Sequence, residues 1–251
     1  MLPNLDNIKT KFKVLYNIDI NKDNNLVFPN GLIIPNLYKE NISELMKYEF
    51  CFLLNKLFGE YYYSKGFTPY ETQETQIKEN NIVFDCGANL GLFSLYALNK
   101  GAKVYCWEPN PFNLKYLTQI LKEHSNSLII PCCVNNTNSW NYFTCCENYS
   151  ASHLSNIKIN ENHNELIQIV CLSYTLDTYC NFHNIKPDFI KADIEGAELK
   201  LLQGSSKLLS ENISLGLITN HYQQDEKMLT DFIKPYNYKI DIYDNFLRAY
   251  K

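Results

Sequence analysis

Ile82-Val83-Phe84-Asp85-Cys86-Gly87-Ala88-Asn89-Leu90-Gly91-Leu92 is the stretch whose pattern decides the fold. Its first three residues are a short β-branched and aromatic run, which predicts a buried strand. Leu92 to Asn99 is apolar enough to predict a buried helix. The link between them holds Gly87 and Gly91. Glycine lets a chain turn tightly after a strand and lets a ligand press against the main chain, where a Cβ would obstruct it.

The same rhythm continues downstream. Lys103 to Trp107 predicts a second strand, and Phe112 to His124 a helix with Leu114, Leu117, Ile120 and Leu121 on its inner face. Leu128 to Val134 predicts a third strand. Trp140–Cys146 and Leu166–Leu172 predict an antiparallel pair joined by a polar segment. A short helix near Thr175 to Phe182 follows, then the strand Asp188–Asp193, a helix beginning over Ala197 to Leu202, the strand Ile213–Ile218 and the helix Glu226–Ile233. Tyr238–Tyr243 and Phe246–Tyr250 predict a closing hairpin turned by Asp244 and Asn245. Strands alternating with helices imply an α/β domain with a mostly parallel sheet covered on both faces, here residues 80–251. Residues 1–79 are expected to be a helical N-terminal extension, with one helix over Ile42 to Phe58 and a turn at Tyr61-Tyr62-Tyr63 and Gly66.

With 45% hydrophobic and 20% charged residues, the composition is that of a chain with a packed core. The net charge of −4 gives no electrostatic reason to bind a phosphate backbone, so nucleic acid is not expected as a partner. The 19 Tyr and 14 Phe accompany abundant Asn, Lys and Ile, a bias that an AT-rich genome produces without any need for base stacking. No run of roughly 20 apolar residues is present to span a membrane. The opening Met-Leu-Pro-Asn-Leu-Asp-Asn lacks an apolar signal core, so a cytoplasmic protein is expected. The nine cysteines fall mostly in apolar runs and are expected to be reduced core thiols. The adjacent pairs Cys132-Cys133 and Cys145-Cys146 do not suit a zinc site, because neighbours on a strand point to opposite faces.

Ligands of an open α/β sheet sit beyond the carboxyl ends of its strands. Three such ends carry acids: Asp85, Glu108 and Asp193. Glu108 follows Gly91 at close to the roughly 20-residue spacing of an acid that accepts hydrogen bonds from ribose hydroxyls. The competing view is that Glu108 only caps the helix that Pro109 and Pro111 would start. A nicotinamide-dependent oxidoreductase is disfavoured because GxGxxG, which seats a pyrophosphate on a helix N-terminus, is missing. Asp85 would repel a pyrophosphate but suits the ammonium or sulfonium end of S-adenosylmethionine. Acids at all three strand ends argue against a binding protein without chemistry.

These residues resemble the FkbM-type methyltransferases from about Tyr62 to the C-terminus. The likeness rests on Val83 to Gly91, Trp107-Glu108-Pro109-Asn110, Tyr174-Thr175-Leu176-Asp177 and, above all, Phe189-Ile190-Lys191-Ala192-Asp193-Ile194-Glu195-Gly196-Ala197-Glu198. The resemblance implies a class I methyltransferase sheet, Rossmann-like, seven-stranded and mostly parallel with an antiparallel C-terminal hairpin. It also implies S-adenosylmethionine held by the loop Asp85, Gly87, Asn89 and Gly91 and by Glu108, with O-methylation as the usual reaction. Asn89 stands where many methyltransferases carry a second glycine. Thr219-Asn220-His221 is similar to the family's Thr-Tyr-His segment, with Asn220 in place of the tyrosine, so the acceptor pocket departs from the family there.

The expected acceptor is a small molecule or glycan bearing a hydroxyl, a sugar or a secondary metabolite, with N-methylation a variant that the residues leave open. A hydroxyl needs a base within hydrogen-bond reach. The candidates are Asp193, Glu195 and His221. His221 is preferred for its unperturbed pKa near 6.5, with Asp193 orienting it or holding the acceptor. Asp193 and Glu195 alternatively cap the next helix. Lys191, on the same strand face as Asp193, is a further catalytic candidate, with pairing to an acid as its alternative role. Asp193, Glu195 and His221 would suit a divalent metal, but nothing in the sequence requires one and none is assigned.

Overall fold

The apolar runs from Ile82 onward pair into sheets in the structure, a computed structural model that describes residues 19–20, 26–27, 33–34, 65–145, 152–155, 167–222 and 225–251. The chain divides into two units, Met1–Thr68 and Pro69–Lys251. In the first, β1 (Asp19–Ile20), β2 (Leu26–Val27) and β3 (Ile33–Ile34) form an antiparallel sheet in that order. The helix expected over Ile42 to Phe58 and the Tyr61-Tyr62-Tyr63 turn lie outside the described residues, as do Cys51 and Cys146.

The second unit begins before the change of pattern at Asn80. Tyr70, Glu71 and Ile77 are buried. Tyr70 meets Phe93 and Phe246 edge-on, and Arg248 donates to the Glu71 carbonyl, so this segment packs with the sheet that follows it.

That sheet contains β4 (Ile82–Cys86), β5 (Lys103–Trp107), β6 (Ser127–Ile130), β11 (Phe189–Ala192), β12 (Ser214–Ile218), β13 (Lys239–Tyr243) and β14 (Phe246–Tyr250). Their order is β13-β14-β12-β11-β4-β5-β6. The five strands from β12 to β6 run parallel, and the β13–β14 hairpin is antiparallel, closed by Asp244 at positive φ. β4 and β11 are central and neighbours. Both are buried on both faces, which is why they are continuous apolar runs rather than alternating ones. Between strands lie α1 (Leu92–Asn99), α2 (Pro111–Leu121), α3 (Leu176–His183), α4 (Glu198–Gln203), α5 (Ser206–Ser210) and α6 (Asp225–Ile233). Phe84, Tyr105, Trp107 and Tyr179 form an aromatic layer under α3, with Trp107 and Tyr179 ring centroids 4.6 Å apart in a T-shape.

The expected third strand is two strands. β6 ends at Ile130, and β7 (Cys133–Val134) joins a different sheet, ordered β7-β10-β8-β9 with β8 (Ser139–Cys145), β9 (His153–Ser155) and β10 (Ile167–Tyr174). Pro131 explains the break, because it has no N–H to carry the ladder on, and Cys132 N turns back to the Ile130 carbonyl at 2.8 Å. The expected antiparallel pair is present as β8 and β10.

Candidate active site

Local sequence builds the first half of the site. Beyond β4 the chain turns through Gly87, Asn89 and Gly91, all at positive φ. Gly87 and Ala88 both donate to the Trp107 carbonyl at 3.0 Å, tying the loop to the end of β5. A Cβ on Gly87 would stand 2.0 Å from the backbone oxygen of Asp193, so the loop touches the end of β11 only because the residue is glycine. Gly91 serves a different end. A Cβ there would stand 2.6 Å from the Leu117 side chain, so its use is helix packing and the left-handed turn that starts α1.

Glu108 is buried just past β5. Its Oε2 accepts from Asn89 N at 2.7 Å and its Oε1 from Asn110 N at 2.8 Å. Capping of α2 falls to Asn110, whose side chain accepts from Phe112 N, with Pro111 in the first turn. Glu108 is thereby released from the capping role and lines the cleft. Burial pushes its carboxyl up to about 7, against the pull of the Asn110, Asn89 and Asn113 hydrogen bonds. The cleft is also lined by Gly87, Asn89, Trp107, Asn113, Ser152, Asp193 and Glu195. Beside Glu108, Asn89 Oδ1, Asn113 Oδ1 and Trp107 Nε1 are buried with no hydrogen-bond partner among the described residues. Buried polar atoms left in that state are costly unless a ligand completes them. A ribose-bearing cofactor with polar edges fits this lining.

Asp85 has another task than facing a sulfonium. It is fully buried, accepts from Ser94 Oγ at 2.6 Å and pairs with Lys191 Nζ at 3.0 Å. Lys191 in turn donates to the Gly87 carbonyl at 2.7 Å. The pair expected of Lys191 is therefore present. It braces the Gly87 loop from below, and neither residue lines the cleft described above. Burial works against the Lys191 charge, but Asp85 and then Asp193 outweigh it, and its pKa lies above the ordinary value.

The second half of the site gathers at the ends of β11 and β12. Asp193, Glu195 and His221 converge, with ligand-type atoms all within 4.8 Å of one another. His221 Nε2 lies 3.6 Å from Asp193 Oδ1 and 3.4 Å from Glu195 Oε2, while Nδ1 lies 3.2 Å from Glu198 Oε1. Burial disfavours the imidazolium, yet Glu198, then Glu195 and Asp193, raise the His221 pKa above its usual value. The N-cap position of α4 is Ala197, which offers no side-chain bond. The acid that closes this turn is Glu198, which accepts from Ile194 N at 2.8 Å. Glu195 sits at φ +54°, a conformation that costs a non-glycine residue about 1–3 kcal/mol and that recurs at functional sites. Two contributors were not singled out from sequence. Glu198 lies behind the imidazole, 3.2 Å from Nδ1. Tyr70, buried and with its hydroxyl pushed well above the ordinary range by burial and then Asp193, donates to Asp193 Oδ2 at 2.9 Å.

A glycine loop after β4 and a buried acid after β5 thus lie at the same sheet edge as a His–carboxylate cluster after β11 and β12. The chain matches the Methyltransferase FkbM domain over residues 85–240, more than half its length. The chain belongs to the FkbM methyltransferase family. It is an S-adenosylmethionine-dependent methyltransferase. Among solved structures, this FkbM methyltransferase is similar to a SAM-dependent methyltransferase from Aquifex aeolicus (12% identity, 82% of this chain and 95% of that chain, TM-score 0.46). It is similar to precorrin-6y C5,15-methyltransferase from Geobacter metallireducens GS-15 (12%, 71% and 85%, 0.43). It is also similar to Aeropyrum pernix fibrillarin with natively bound S-adenosyl-L-methionine (12%, 69% and 67%, 0.42). No curated protein matches the chain. Among the described residues, no helix is long and apolar enough to cross a membrane.

Proposed function

We propose that this enzyme methylates a hydroxyl oxygen on a sugar, glycan or secondary metabolite. One observation carries the reading: the Asp193–Glu195–His221 cluster adjoins the loop at Gly87, so a group able to draw off a proton sits beside the methyl donor's expected seat. A hydroxyl is a weak nucleophile at neutral pH and gains most from such a neighbour. A neutral amine needs it less. The acid-rich cluster also repels phosphate, which supports a neutral acceptor over a nucleic acid.

S-adenosylmethionine supplies an already activated methyl group. The chain's part is to place and to dry. Glu108 with Asn89 and Asn110 would fix the ribose, and Gly87 and Asn89 would bring the main chain against the donor. Asp193, Glu195 and His221 would hold the acceptor oxygen in line and promote the loss of its proton, while β8 and β9 wall one side of the cleft. Lys191 supports the loop through Asp85 rather than reacting.

The test is to incubate a metabolite extract with the enzyme and methyl-labelled cofactor, then fractionate. The expected product is a neutral small molecule or glycan carrying label as a base-stable methyl ether. Label confined to nucleic acid, protein or nitrogen would contradict the reading.

A further inference from the structure

His221 Nε2 stands 3.4 and 3.6 Å from two carboxylate oxygens, Glu195 Oε2 and Asp193 Oδ1. Both distances exceed the 2.7–3.2 Å of an N–H···O hydrogen bond. They are close to the roughly 3.0–3.5 Å that separates two ligand atoms each about 2.1 Å from one metal ion at angles between square and tetrahedral. On the far side of the ring a carboxylate stands close to Nδ1, short of hydrogen-bond alignment. Nδ1 faces Glu198 across 3.2 Å, and Glu198 is itself buried and anchored by Ile194 N at 2.8 Å. A carboxylate behind a histidine fixes the tautomer that leaves Nε2 as a ligand. Asp193 is held separately by Tyr70, which donates to Oδ2. The buried cation Lys191 is engaged by Asp85 and the Gly87 carbonyl.

We propose that Asp193, Glu195 and His221 Nε2 form a divalent-cation centre on the acceptor side of the cleft, with Glu198 as its positioning residue. Two oxygens and one imidazole suit an ion of the Mg²⁺ or Mn²⁺ size, with positions left for water and for the acceptor oxygen. This rests on the hydroxyl-methylating reading and gives its cluster a specific means. The bound hydroxyl becomes more acidic and releases its proton to cleft water. The oxygen then takes the methyl group, leaving the methyl ether, S-adenosylhomocysteine and one proton. His221 thereby acts as a ligand in place of the free base expected from sequence.

Mn²⁺ alone, titrated into the full chain and followed by electron paramagnetic resonance, tests the centre without any acceptor. One bound ion per chain is expected. Asp193→Asn and His221→Ala should each weaken it at least about tenfold, Glu198→Gln about tenfold through the ring it orients, and Glu108→Ala not at all. Circular dichroism checks folding, and the half-exposed Glu195→Gln stands in for any variant that does not fold. No bound Mn²⁺, or equal binding in all variants, overturns the centre. Transfer to a hydroxyl that survives chelation alongside absent Mn²⁺ binding would remove the metal and leave the acceptor reading intact. Mn²⁺ bound as expected, with label only on nitrogen, would do the reverse.

Discussion

Asp85 and Lys191 show how a single residue's chemistry is legible while its address is not. The sequence places an acid at a strand end and a lysine on the next strand's same face. Only the register, which sets Lys191 opposite Asp85, shows that they neutralise each other beneath the loop. Their side chains are 5% and 0% exposed. Lys191→Met should therefore leave a buried carboxylate unpaired and lower stability by about 3–5 kcal/mol, read by urea unfolding, with Asp85→Asn in the same chain restoring much of it. Glu108 makes a second residue-scale prediction. With its carboxyl raised from 4.5 to about 7, the folded chain keeps a proton that the unfolded chain releases between those values. Its contribution to stability is thus present below about 4.5 and is lost as pH rises through about 7. Cofactor binding runs the other way, because only the carboxylate accepts from ribose hydroxyls without giving up its backbone partners. Calorimetry should find S-adenosylmethionine binding tighter at pH 8 than at pH 6, with the difference reduced in Glu108→Gln. Tyr70 and Glu198 were illegible as site residues for a simple reason: their partners lie across the fold or behind a ring, and no spacing encodes that.

At the scale of elements, the runs that stayed close to their expected bounds are those with a local cause. Thr175 caps α3, accepting from Thr178 N, and Asn110 caps α2. The run Leu128–Val134 failed as one strand because apolar continuity says nothing about where a ladder stops, and Pro131 stops this one. The strand-and-helix pattern begins only at Asn80, so residues 69–79 read from sequence as part of the extension. Their burial comes from contacts to Phe93, Phe246 and Arg248, which are remote in sequence. The loop between β4 and α1 gives the element-scale prediction. Gly87→Ala combines a left-handed backbone, about 1–2 kcal/mol for an alanine, with a Cβ 2.0 Å from the Asp193 carbonyl oxygen. It should lower the thermal midpoint and weaken S-adenosylmethionine binding at least tenfold, since the loop and the end of β11 must part. A midpoint equal to wild type would show that the contact is not needed.

Across the whole molecule, the order β13-β14-β12-β11-β4-β5-β6 brings the ends of β4, β5, β11 and β12 to one edge. Residues far apart in sequence, from Gly87 to His221, meet there. The alternation of strands and helices made this sheet legible, because a parallel sheet with right-handed crossovers leaves few arrangements. The small sheet β7-β10-β8-β9 was legible only as one antiparallel pair, its other edges being set by long-range contacts. On the proposed reading, this edge seats S-adenosylmethionine by its ribose on Glu108. Calorimetric titration of the full chain with S-adenosylmethionine, beside Glu108→Ala, decides whether it does. One site is predicted in the wild type, with affinity lower by at least about tenfold, or about 1.4 kcal/mol, in the variant. Equal affinity in the two proteins would contradict it.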